Sequence, residues 1–434
     1  MVRSSKPLLA AIIVLVLMSS ALADDLSESR TEMKYILKNV ANEISKNFYD
    51  PKLKGVDWKA AVDEAKQKID AAKSINEMEV AIFQFVEKLD DSHTGFIPPA
   101  SATEVRYGFD AKPYGNEVRV FAVDRGGAAE AAGLKVGDRL MEINGFLAER
   151  VTFEKLMIYT RKLYQISPMN LNVDRQGEGT LTVSIVPKMR TRAIVLNREA
   201  NFNAIWALAL DDFEEWHKKY GTYQYGNENG IGYVQLREFP DEGQDFLKGL
   251  AEKSKNADAV IIDLRDCPGG ALKTLLSFAG LFQTTEGILA TEVDRTKSEP
   301  MRIKPQRPFI GGSLFILVDS ATASAAELLA RHLQKTRNAV VIGDNTAGAV
   351  TVGKVLEASV GGSLVTEYGI AIGIGRVVFP DGEELEKKGI TPDKKCLPTQ
   401  KDMVEGKDTC LALAYKLARE ARNAAQTKST AANN

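Results

Sequence analysis

The spacing of apolar residues divides the chain into regions with different predicted structure. Residues 26–98 carry apolar side chains at helical intervals, and Pro98-Pro99 ends this pattern. From residue 105 short apolar stretches alternate with turn residues, which predicts a domain of short strands. After residue 230 apolar strands alternate with amphipathic helices, and this alternation predicts a layered α/β core.

The α/β region is followed by a predicted C-terminal helix over residues 404–421. The polar residues after it are expected to form a disordered tail. Within the α/β region, strands are predicted at 231–236, 259–264, 314–318 and 340–342, and helices at 244–253, 272–282 and 325–334.

Ser324 lies where a predicted strand gives way to a helix. The apolar run 314–318 breaks at Asp319-Ser320, small residues follow, and a helical pattern begins at Ala325. A serine at such a turn can present its hydroxyl to a substrate, while the first N–H groups of the helix can stabilise an oxyanion. Ser324 is therefore a candidate nucleophile. The alternative is an ordinary helix N-cap packed among small residues.

A second turn follows the predicted strand 259–264 and contains Cys267-Pro268-Gly269-Gly270. Glycines permit a tight turn whose amides face outward at the end of a strand. The amides of Gly269 and Gly270, together with that of Ala325, are therefore candidates for an oxyanion hole. Taken alone, a Pro-Gly-Gly sequence indicates only a turn.

Four segments in this order resemble the signature blocks of the C-terminal processing, or tail-specific, serine peptidases. The resemblance implies a crotonase-like layered α/β peptidase core in which Ser324 is the nucleophile. The segments are Asp-Leu-Arg-Asp-Cys-Pro-Gly-Gly (263–270), Thr-Ala-Ser-Ala-Ala-Glu (322–327), Val-Val-Ile-Gly-Asp-Asn-Thr-Ala-Gly (340–348) and Leu-Glu-Lys-Lys-Gly-Ile-Thr-Pro-Asp (385–393).

One position departs from the family pattern. Members with a Ser–Lys pair carry the lysine directly after the glycine of the third segment, where this chain has Ala349, and Gly353 replaces their accompanying glutamine. Lys354 is adjacent, but a slip of one residue along a strand turns a side chain to the opposite face. The chain therefore resembles more closely the tricorn-like branch of the superfamily, which works with serine, histidine and glutamate.

His93 is the histidine that fits this branch. It lies in Asp-Ser-His-Thr (91–94), which resembles the family's Asp-x-His-(Ser/Thr) block. A neutral imidazole, with an ordinary pKa of about 6.5, can accept the proton of the Ser324 hydroxyl. Glu386 resembles the acidic residue that orients the histidine in this branch. The alternative for Glu386 is a surface turn carboxylate.

The other basic candidates carry weaker signals. His217 and His332 lie in helical patterns and are expected to be surface or packing residues. Two alternatives to His93 stay open: Lys354 acts as the base of a shifted Ser–Lys pair, or the site is inactive.

The region of short strands resembles a PDZ domain. The most specific part is residues 128–138 followed by Ile143-Asn144-Gly145. In such domains a peptide C-terminus adds as an edge strand, and backbone amides hold its carboxylate. Here the amides around Tyr107, Gly108 and Phe109 are the candidates. The alternative is a PDZ-like domain that serves only as a structural cap or binds another protein.

The N-terminus has the pattern of a secretory signal. Arg3 and Lys6 precede the apolar run 8–18, and Ala21-Leu22-Ala23 predicts cleavage after Ala23. The run is shorter than the roughly 20 residues that span a membrane. We therefore expect a secreted or periplasmic protein without an integral membrane span after cleavage. An uncleaved N-terminal anchor is the alternative.

In an exported protein, Cys396 and Cys410 are the pair that could close a short loop. Cys267 would then be unpaired and is expected to be a buried small apolar residue. No Cys/His spacing suits zinc, so no metal and no cofactor are predicted. The 56 basic and 58 acidic residues nearly cancel, and no nucleic-acid partner is predicted.

The sequence predicts a serine endopeptidase whose PDZ domain captures proteins or peptides by their free C-termini and which cleaves nearby. One competing prediction is an inactive peptidase scaffold that acts as a PDZ adaptor, and another is a ligand-binding protein, since retinoid-binding repeats share this scaffold. The predicted boundaries are a signal peptide 1–23, a helical N-terminal domain 24–100, a PDZ-like domain 104–188, a linker 189–229, a serine peptidase core 230–400, a C-terminal helix 401–424 and a disordered tail 425–434.

Overall fold

The computed structural model describes residues 6–99, 103–160, 168–191, 223–241, 244–361 and 365–432. The aromatic stretch predicted between residues 202 and 216, and His217 with it, lie outside the described residues. Three structural units follow one another along the chain: a group of helices, a PDZ-like β domain and a larger α/β core.

The first unit consists of helices α1 (Lys6–Asn47), α2 (Trp58–Ala71) and α3 (Ile75–Val86), followed by a short 3-10 helix (Glu87–Leu89). Asp57 caps the N-terminus of α2 and Ser74 that of α3, each accepting a backbone N–H with its side chain. The α1 backbone is helical from Lys6 onward, across the predicted cleavage site after Ala23. Among the residues that the structure describes, no helix is long and apolar enough to cross a membrane.

The PDZ-like domain has a sheet with the strand order β3-β4-β5-β7-β8, with β6 paired to β5. Its own core contains Tyr107, Val120, Leu140 and Leu171. The elements are β3 (Phe109–Tyr114), β4 (Glu117–Val123), α4 (Ala128–Ala131), β5 (Arg139–Ile143), β6 (Phe146–Leu147), α5 (Phe153–Ile158), β7 (Met169–Arg175) and β8 (Gly179–Ile185), with β2 (Thr103–Arg106) and β9 (Lys188–Thr191) forming a separate pair.

The core is built on a sheet with the order β10-β11-β12-β15-β16-β19, in which only the β10–β11 pair is antiparallel. The strands are β10 (Tyr223–Glu228), β11 (Ile231–Leu236), β12 (Ala259–Asp263), β15 (Ser313–Val318), β16 (Val340–Gly343) and β19 (Lys394–Lys395).

Helices cover both faces of this sheet, which explains why its central strands are apolar throughout. Val260 and Ile262 of β12 pack toward α6 (Gln244–Ser254), α7 (Leu272–Gly280) and α8 (Ala325–Thr336). Ile261 instead belongs to the cluster that contains Ala414 of the C-terminal helix α10 (Thr409–Ala432).

A second sheet, absent from the sequence prediction, connects the core to the N-terminal helices. Its longest strand, β18 (Thr366–Val378), pairs with β1 (Gly95–Ile97), β13 (Gly287–Val293) and β17 (Val352–Val360), and β14 (Ser298–Ile303) pairs with β13. Ile370 and Ile372 of β18 pack into the same cluster as Ile36 and Val40 of α1. The layered α/β core therefore has the predicted alternation and an additional β layer.

The C-terminal region differs from its prediction in two respects. Helix α9 (Gln400–Glu405) ends at Gly406, whose left-handed conformation separates it from α10. The α10 backbone stays helical to Ala432, so most of the tail expected to be disordered is helical, in keeping with its alanine content. Cys396, the residue that follows β19, forms a disulfide with Cys410 of α10.

The predicted linker ends earlier than expected, because Tyr223–Glu228 pairs with β11 as an edge strand.

Candidate active site

Ser324 lies at the start of α8, directly beyond the turn that follows β15. Its backbone has φ 51° and ψ −122°, a strained combination for a residue other than glycine. Its N–H donates to the carbonyl of Ala349 at 2.9 Å and to the carboxylate of Glu327 at 3.2 Å. These two bonds hold a turn that costs on the order of 1–3 kcal/mol. A strained strand-to-helix turn of this kind exposes the hydroxyl of a nucleophilic serine.

Glu327 is the carboxylate that supports this turn, and it is fully buried. It accepts the N–H groups of Gly348 and Ala349 at 2.8 and 2.9 Å and the hydroxyl of Thr346. Burial raises the pKa of Glu327 to about 7 against the effect of these donors. Sequence reasoning assigned no role to Glu327, although its position three residues after Ser324 is the spacing of a capping box.

The Pro-Gly-Gly turn lies against Ser324. A Cβ atom on Gly269 would stand 2.7 Å from the Cβ of Ser324 and 2.9 Å from the nitrogen of Ala325. Gly269 has φ 105° and Gly270 φ 132°, so glycine is needed at both positions. The strand-like bonds from Phe239 N to Gly269 O and from Ala271 N to Phe239 O, at 2.8 and 2.7 Å, fix the turn.

Cys267 begins this turn and is fully buried, as expected. Burial raises the pKa of its thiol, and the backbone N–H of Gly269 acts in the opposite direction. Among the three predicted oxyanion residues, Gly269 makes the close approach to Ser324, and the amides of Gly269, Gly270 and Ala325 remain the candidate donors.

His93 lies in the loop between the 3-10 helix and β1, and only 4% of its surface is exposed. The Asp91 carboxylate shapes this loop by accepting the N–H of His93 at 3.1 Å and the hydroxyls of Thr94 and Thr351 at 2.8 and 3.3 Å. Burial lowers the pKa of His93, although the carboxylates of Glu386 and Asp91 raise it. Burial has the larger effect, and the lowered pKa favours the neutral ring, which is the form that a general base needs.

Glu386 reaches His93 through the hydroxyl of Ser92. This hydroxyl is 2.7 Å from Nδ1 of His93 and 3.0 Å from the Glu386 carboxylate, to which the N–H of Ser92 also donates at 3.1 Å. If Ser92 donates to Glu386, it accepts from Nδ1–H, which leaves the lone pair on Nε2. Sequence reasoning missed the role of Ser92, although it lies next to His93 in the quoted motif.

Residues 348–351 connect the nucleophile turn to the histidine loop. The N–H groups of Gly348 and Ala349 bind Glu327, and those of Val350 and Thr351 bind Glu386, at 2.9 and 3.2 Å. Two carboxylates from distant parts of the chain are thus bound by four consecutive amides. Ser324 and the chain Glu386–Ser92–His93 are attached to the same short segment.

The lysine alternative has a different environment. Lys354 lies on β17, and its ammonium donates to the side chain of Asn47 on α1 at 2.8 Å. Ala349, at the position of the family's lysine, is 4% exposed.

His332 is also buried, beside Gln283, and burial lowers its pKa to about 4. His332 is therefore a packing residue, one of the two roles expected for it.

A cavity of about 260 Å³ opens beside Ser324. It is predominantly apolar, and the acidic residues Glu238 and Asp241 also line it. A cavity of this chemistry fits an uncharged, apolar side chain next to the bond that Ser324 would attack. Its apolar walls are formed by Phe239, Leu272, Leu275, Met301, Leu328 and Val350.

The predicted carboxylate-binding residues lie at the start of β3, an edge strand of the PDZ-like sheet. Tyr107 and Phe109 are buried in the core of the domain, so only their backbone can face a peptide. Gly108 has φ 78°, and its carbonyl accepts the N–H of Asp124 at 3.0 Å. Among the described strands, none pairs with the second edge of β3, which is the edge a peptide strand would join.

Comparisons with known proteins agree with this architecture. Residues 230–396 match the profile of peptidase family S41, residues 29–81 that of the tricorn protease C1 domain, and residues 100–173 that of the PDZ domain.

Two curated relatives and one solved structure illustrate the similarity. The carboxy-terminal processing protease CtpA of Bacillus subtilis is 25% identical over 329 residues, which cover 73% of this chain and 63% of the relative. The carboxyl-terminal-processing protease of Picosynechococcus is 25% identical over 339 residues, 74% of this chain and 73% of the relative. The crystal structure of mature CPAF has the same fold, with a TM-score of 0.66 at 14% identity over 91% of this chain and 98% of that one. The predicted fold class is confirmed.

Proposed function

Because this chain belongs to the C-terminal processing serine peptidases that carry a PDZ domain, we propose that it is an endopeptidase that cleaves proteins near their C-termini with a Ser–His–Glu site. The observation that carries the proposal is the shared attachment of Ser324 and of the Glu386–Ser92–His93 chain to residues 348–351. A nucleophile at a strained turn and a neutral, oriented histidine are the two groups that acyl transfer requires.

The chemistry follows from the hydrogen-bond directions. The Ser324 hydroxyl attacks the scissile carbonyl, and Nε2 of His93 takes its proton and then delivers it to the leaving amine. Nδ1–H of His93 donates to Ser92, which donates to Glu386, so the positive charge that forms on the ring meets a carboxylate through one hydroxyl. Water then hydrolyses the acyl-enzyme by the same proton path in reverse.

The oxyanion of the tetrahedral intermediate is held by the amides of Gly270 and Ala325 in this proposal. The closeness of Gly269 to both Ser324 and Ala325 supports this arrangement. One such donor contributes roughly a hundredfold to a thousandfold in rate. The apolar cavity beside Ser324 then receives the side chain that adjoins the cleaved bond, which favours substrates with uncharged residues there.

Recognition of the substrate is assigned to the PDZ-like domain. Among the described strands β3 lies at an edge of its sheet, which supports the addition of a peptide strand, and the amides near Gly108 would hold its terminal carboxylate. Proteins or peptides with free C-termini are therefore the proposed partners. The near balance of basic and acidic residues gives no support for a nucleic-acid partner.

We place the protein outside the cytosol, secreted or in the periplasm. The N-terminal pattern with cleavage after Ala23 supports this, and so does the disulfide between Cys396 and Cys410, since disulfides persist in oxidising compartments.

A second candidate is a catalytically inactive PDZ adaptor, and Ala349 in place of the family's lysine is the observation that favours it. One experiment separates the two. The purified protein is treated with a fluorophosphonate probe and with an unstructured peptide that has a free C-terminus. We expect labelling and hydrolysis by the wild type and neither by Ser324→Ala. A wild type that binds the peptide but shows no labelling and no hydrolysis would establish the adaptor.

A further inference from the structure

Lys112 crosses from the PDZ-like domain to the peptidase core. It lies on β3, and its ammonium binds the carboxylate of Asp266 and, at 2.6 Å, that of Asp319. The Lys112 side chain is 13% exposed, and the rings of Phe121 and Tyr114 lie 5.0 and 5.6 Å from its ammonium. A lysine that is largely buried and bonded to two carboxylates is held in one position.

The two carboxylates belong to the two loops that form the candidate active site. Asp266 directly precedes the turn with Gly269 and Gly270, has a left-handed backbone with φ 57°, and donates its N–H to Asp319 at 3.1 Å. Asp319 opens the turn that leads to Ser324 and accepts the N–H of Ala321 at 3.0 Å. The cluster thus joins the oxyanion turn to the nucleophile turn.

The charges in this cluster depend on Lys112. Burial opposes the charged form of Asp319, yet the Lys112 ammonium and the N–H of Asp266 hold the pKa of Asp319 below its usual range. Burial also opposes the charge of Lys112, but Asp266 and Asp319 raise the pKa of the lysine well above normal. Burial raises the pKa of Asp266, although the Lys112 ammonium acts against this effect. Tyr114, Arg265 and Cys267 also interact electrostatically with this cluster. Without the ammonium, two neighbouring carboxylates would repel each other and drive the two turns apart.

Lys112 also lies three residues after Phe109, on the strand that begins at the proposed carboxylate-binding loop. Next to it, the carbonyl of Pro113 accepts the hydroxyl of Ser320 at 2.6 Å, a second bond from β3 to the nucleophile turn. One strand therefore contacts the proposed peptide site at its start and the candidate active site near its end.

We propose that Lys112 is a positioning residue: by binding Asp266 and Asp319 together, it holds the Pro-Gly-Gly turn and the Ser324 turn at their working separation while the PDZ-like domain is docked on the core. This inference rests on the proposed peptidase function. A displacement of one ångström between a nucleophile and its oxyanion donors can cost about a hundredfold in rate, so the effect is expected in kcat.

The test compares Lys112→Met, which keeps the length of the side chain and removes its charge, with Lys135→Met as a matched control. Lys135 belongs to the same domain, is 61% exposed and pairs with Glu178. For Lys112→Met we expect kcat for a peptide substrate to fall at least tenfold with KM within twofold of the wild type. Lys135→Met is expected to keep both constants within twofold.

A second change distinguishes positioning from general support. In Lys112→Met/Asp266→Asn the amide can donate to Asp319, so we expect kcat to recover at least threefold over the single variant. The ratio of wild-type to Lys112→Met kcat should also shrink as the pH falls toward about 5, because protonation of one carboxylate removes the repulsion. A loss of kcat without rescue and without this pH trend would reduce Lys112 to a structural support and overturn the proposal.

Hydrogen–deuterium exchange tests the inference independently of hydrolysis. In Lys112→Met we expect faster exchange in peptides covering residues 264–272 and 319–326, with no change in α2. Unchanged exchange in both segments would overturn the positioning role even if activity fell. If the wild type neither hydrolyses peptides nor reacts with the fluorophosphonate, the proposed function fails, and the exchange data alone still decide whether Lys112 holds the two turns together.

Discussion

Ser92 and Glu386 are 294 positions apart in the chain, yet both the N–H and the hydroxyl of Ser92 donate to the Glu386 carboxylate, at 3.1 and 3.0 Å. Because the same hydroxyl lies 2.7 Å from Nδ1 of His93, the carboxylate acts on the ring through one intervening group. The Glu386 carboxylate therefore orients the histidine through Ser92, and the predictions for His93 and Glu386 depend on this arrangement.

Replacement of His93 by alanine should remove the general base. We expect kcat/KM for peptide hydrolysis to fall at least a hundredfold, within the range that general base catalysis contributes. Lys354→Ala is the matched comparison and should stay within threefold of the wild type, because its ammonium is bonded to Asn47. Steady-state kinetics and fluorophosphonate labelling measure both. A dead Lys354→Ala protein beside an active His93→Ala protein would identify a shifted Ser–Lys enzyme.

The pH dependence should report the charge of Glu386. Burial lowers the pKa of His93 by more than the Glu386 carboxylate raises it. The acidic limb of kcat/KM in the wild type should therefore lie below the ordinary histidine pKa of about 6.5. Glu386→Gln removes the raising effect. We therefore expect its acidic limb to move to lower pH, and kcat to fall because the histidine loses its orientation.

The control for this profile is Glu384→Gln, two residues away, whose carboxylate pairs with Arg376 at the surface. Its acidic limb should coincide with that of the wild type. A Glu386→Gln limb that stays in place or moves to higher pH would show that this carboxylate does not act on His93.

Gly269→Ala should block the approach of the Pro-Gly-Gly turn to the nucleophile. The new Cβ would stand 2.7 Å from the Cβ of Ser324, so the turn must move and the oxyanion donors move with it. We expect at least a hundredfold loss of kcat. Gly177→Ala is the matched control, because Gly177 also has a positive φ, 84°, but nothing lies within 4 Å of a Cβ there.

An alanine at either position must adopt a positive φ, which costs about 1–2 kcal/mol. This backbone cost should therefore lower the unfolding temperature of both variants by a similar amount. Only Gly269→Ala should also lose fluorophosphonate labelling. Equal activity of the two variants would mean that the approach of this turn is not needed for catalysis.

The PDZ-like domain should read the free carboxylate of a peptide C-terminus. A peptide ending in small or apolar residues is compared with its C-terminally amidated form by calorimetry or fluorescence anisotropy, using Ser324→Ala protein to prevent cleavage. Amidation removes the terminal charge, so we expect at least a tenfold loss of affinity, about 1.4 kcal/mol or more. Equal binding of the two forms would show that the carboxylate is not recognised.

The disulfide should stabilise the docking of the C-terminal helix. Cys396 and Cys410 are 14 residues apart, and a cross-link over a loop of this length contributes roughly 3 kcal/mol. The Cys396→Ser/Cys410→Ser protein should therefore unfold at a lower temperature and exchange amide hydrogens faster in α10. Reductant should lower the unfolding temperature of the wild type and leave that of the double variant unchanged. A wild type insensitive to reductant would contradict this role.

The sequence alone determined the elements whose signals are local. The strand, the turn of small residues and the helix around Ser324 are encoded within about 20 consecutive residues. The Pro-Gly-Gly turn is indicated by its two glycines, because a tight turn needs residues that can adopt a positive φ. The alternation after residue 230 predicted the layered core for the same reason. Local patterns fix local structure, because the interactions that select it lie between residues close in sequence.

Tertiary structure decided how distant segments meet. The pairing of β1 with β18, together with the packing of the N-terminal helices on β18, brings the loop with His93 to the core. Pattern analysis did not find β18, and it gave no role to Ser92, Glu327 or Lys112. Each of these three side chains acts through partners that the fold brings to it, some of them hundreds of positions away. No spacing along one chain records such contacts, since they exist only after the sheets and domains have assembled.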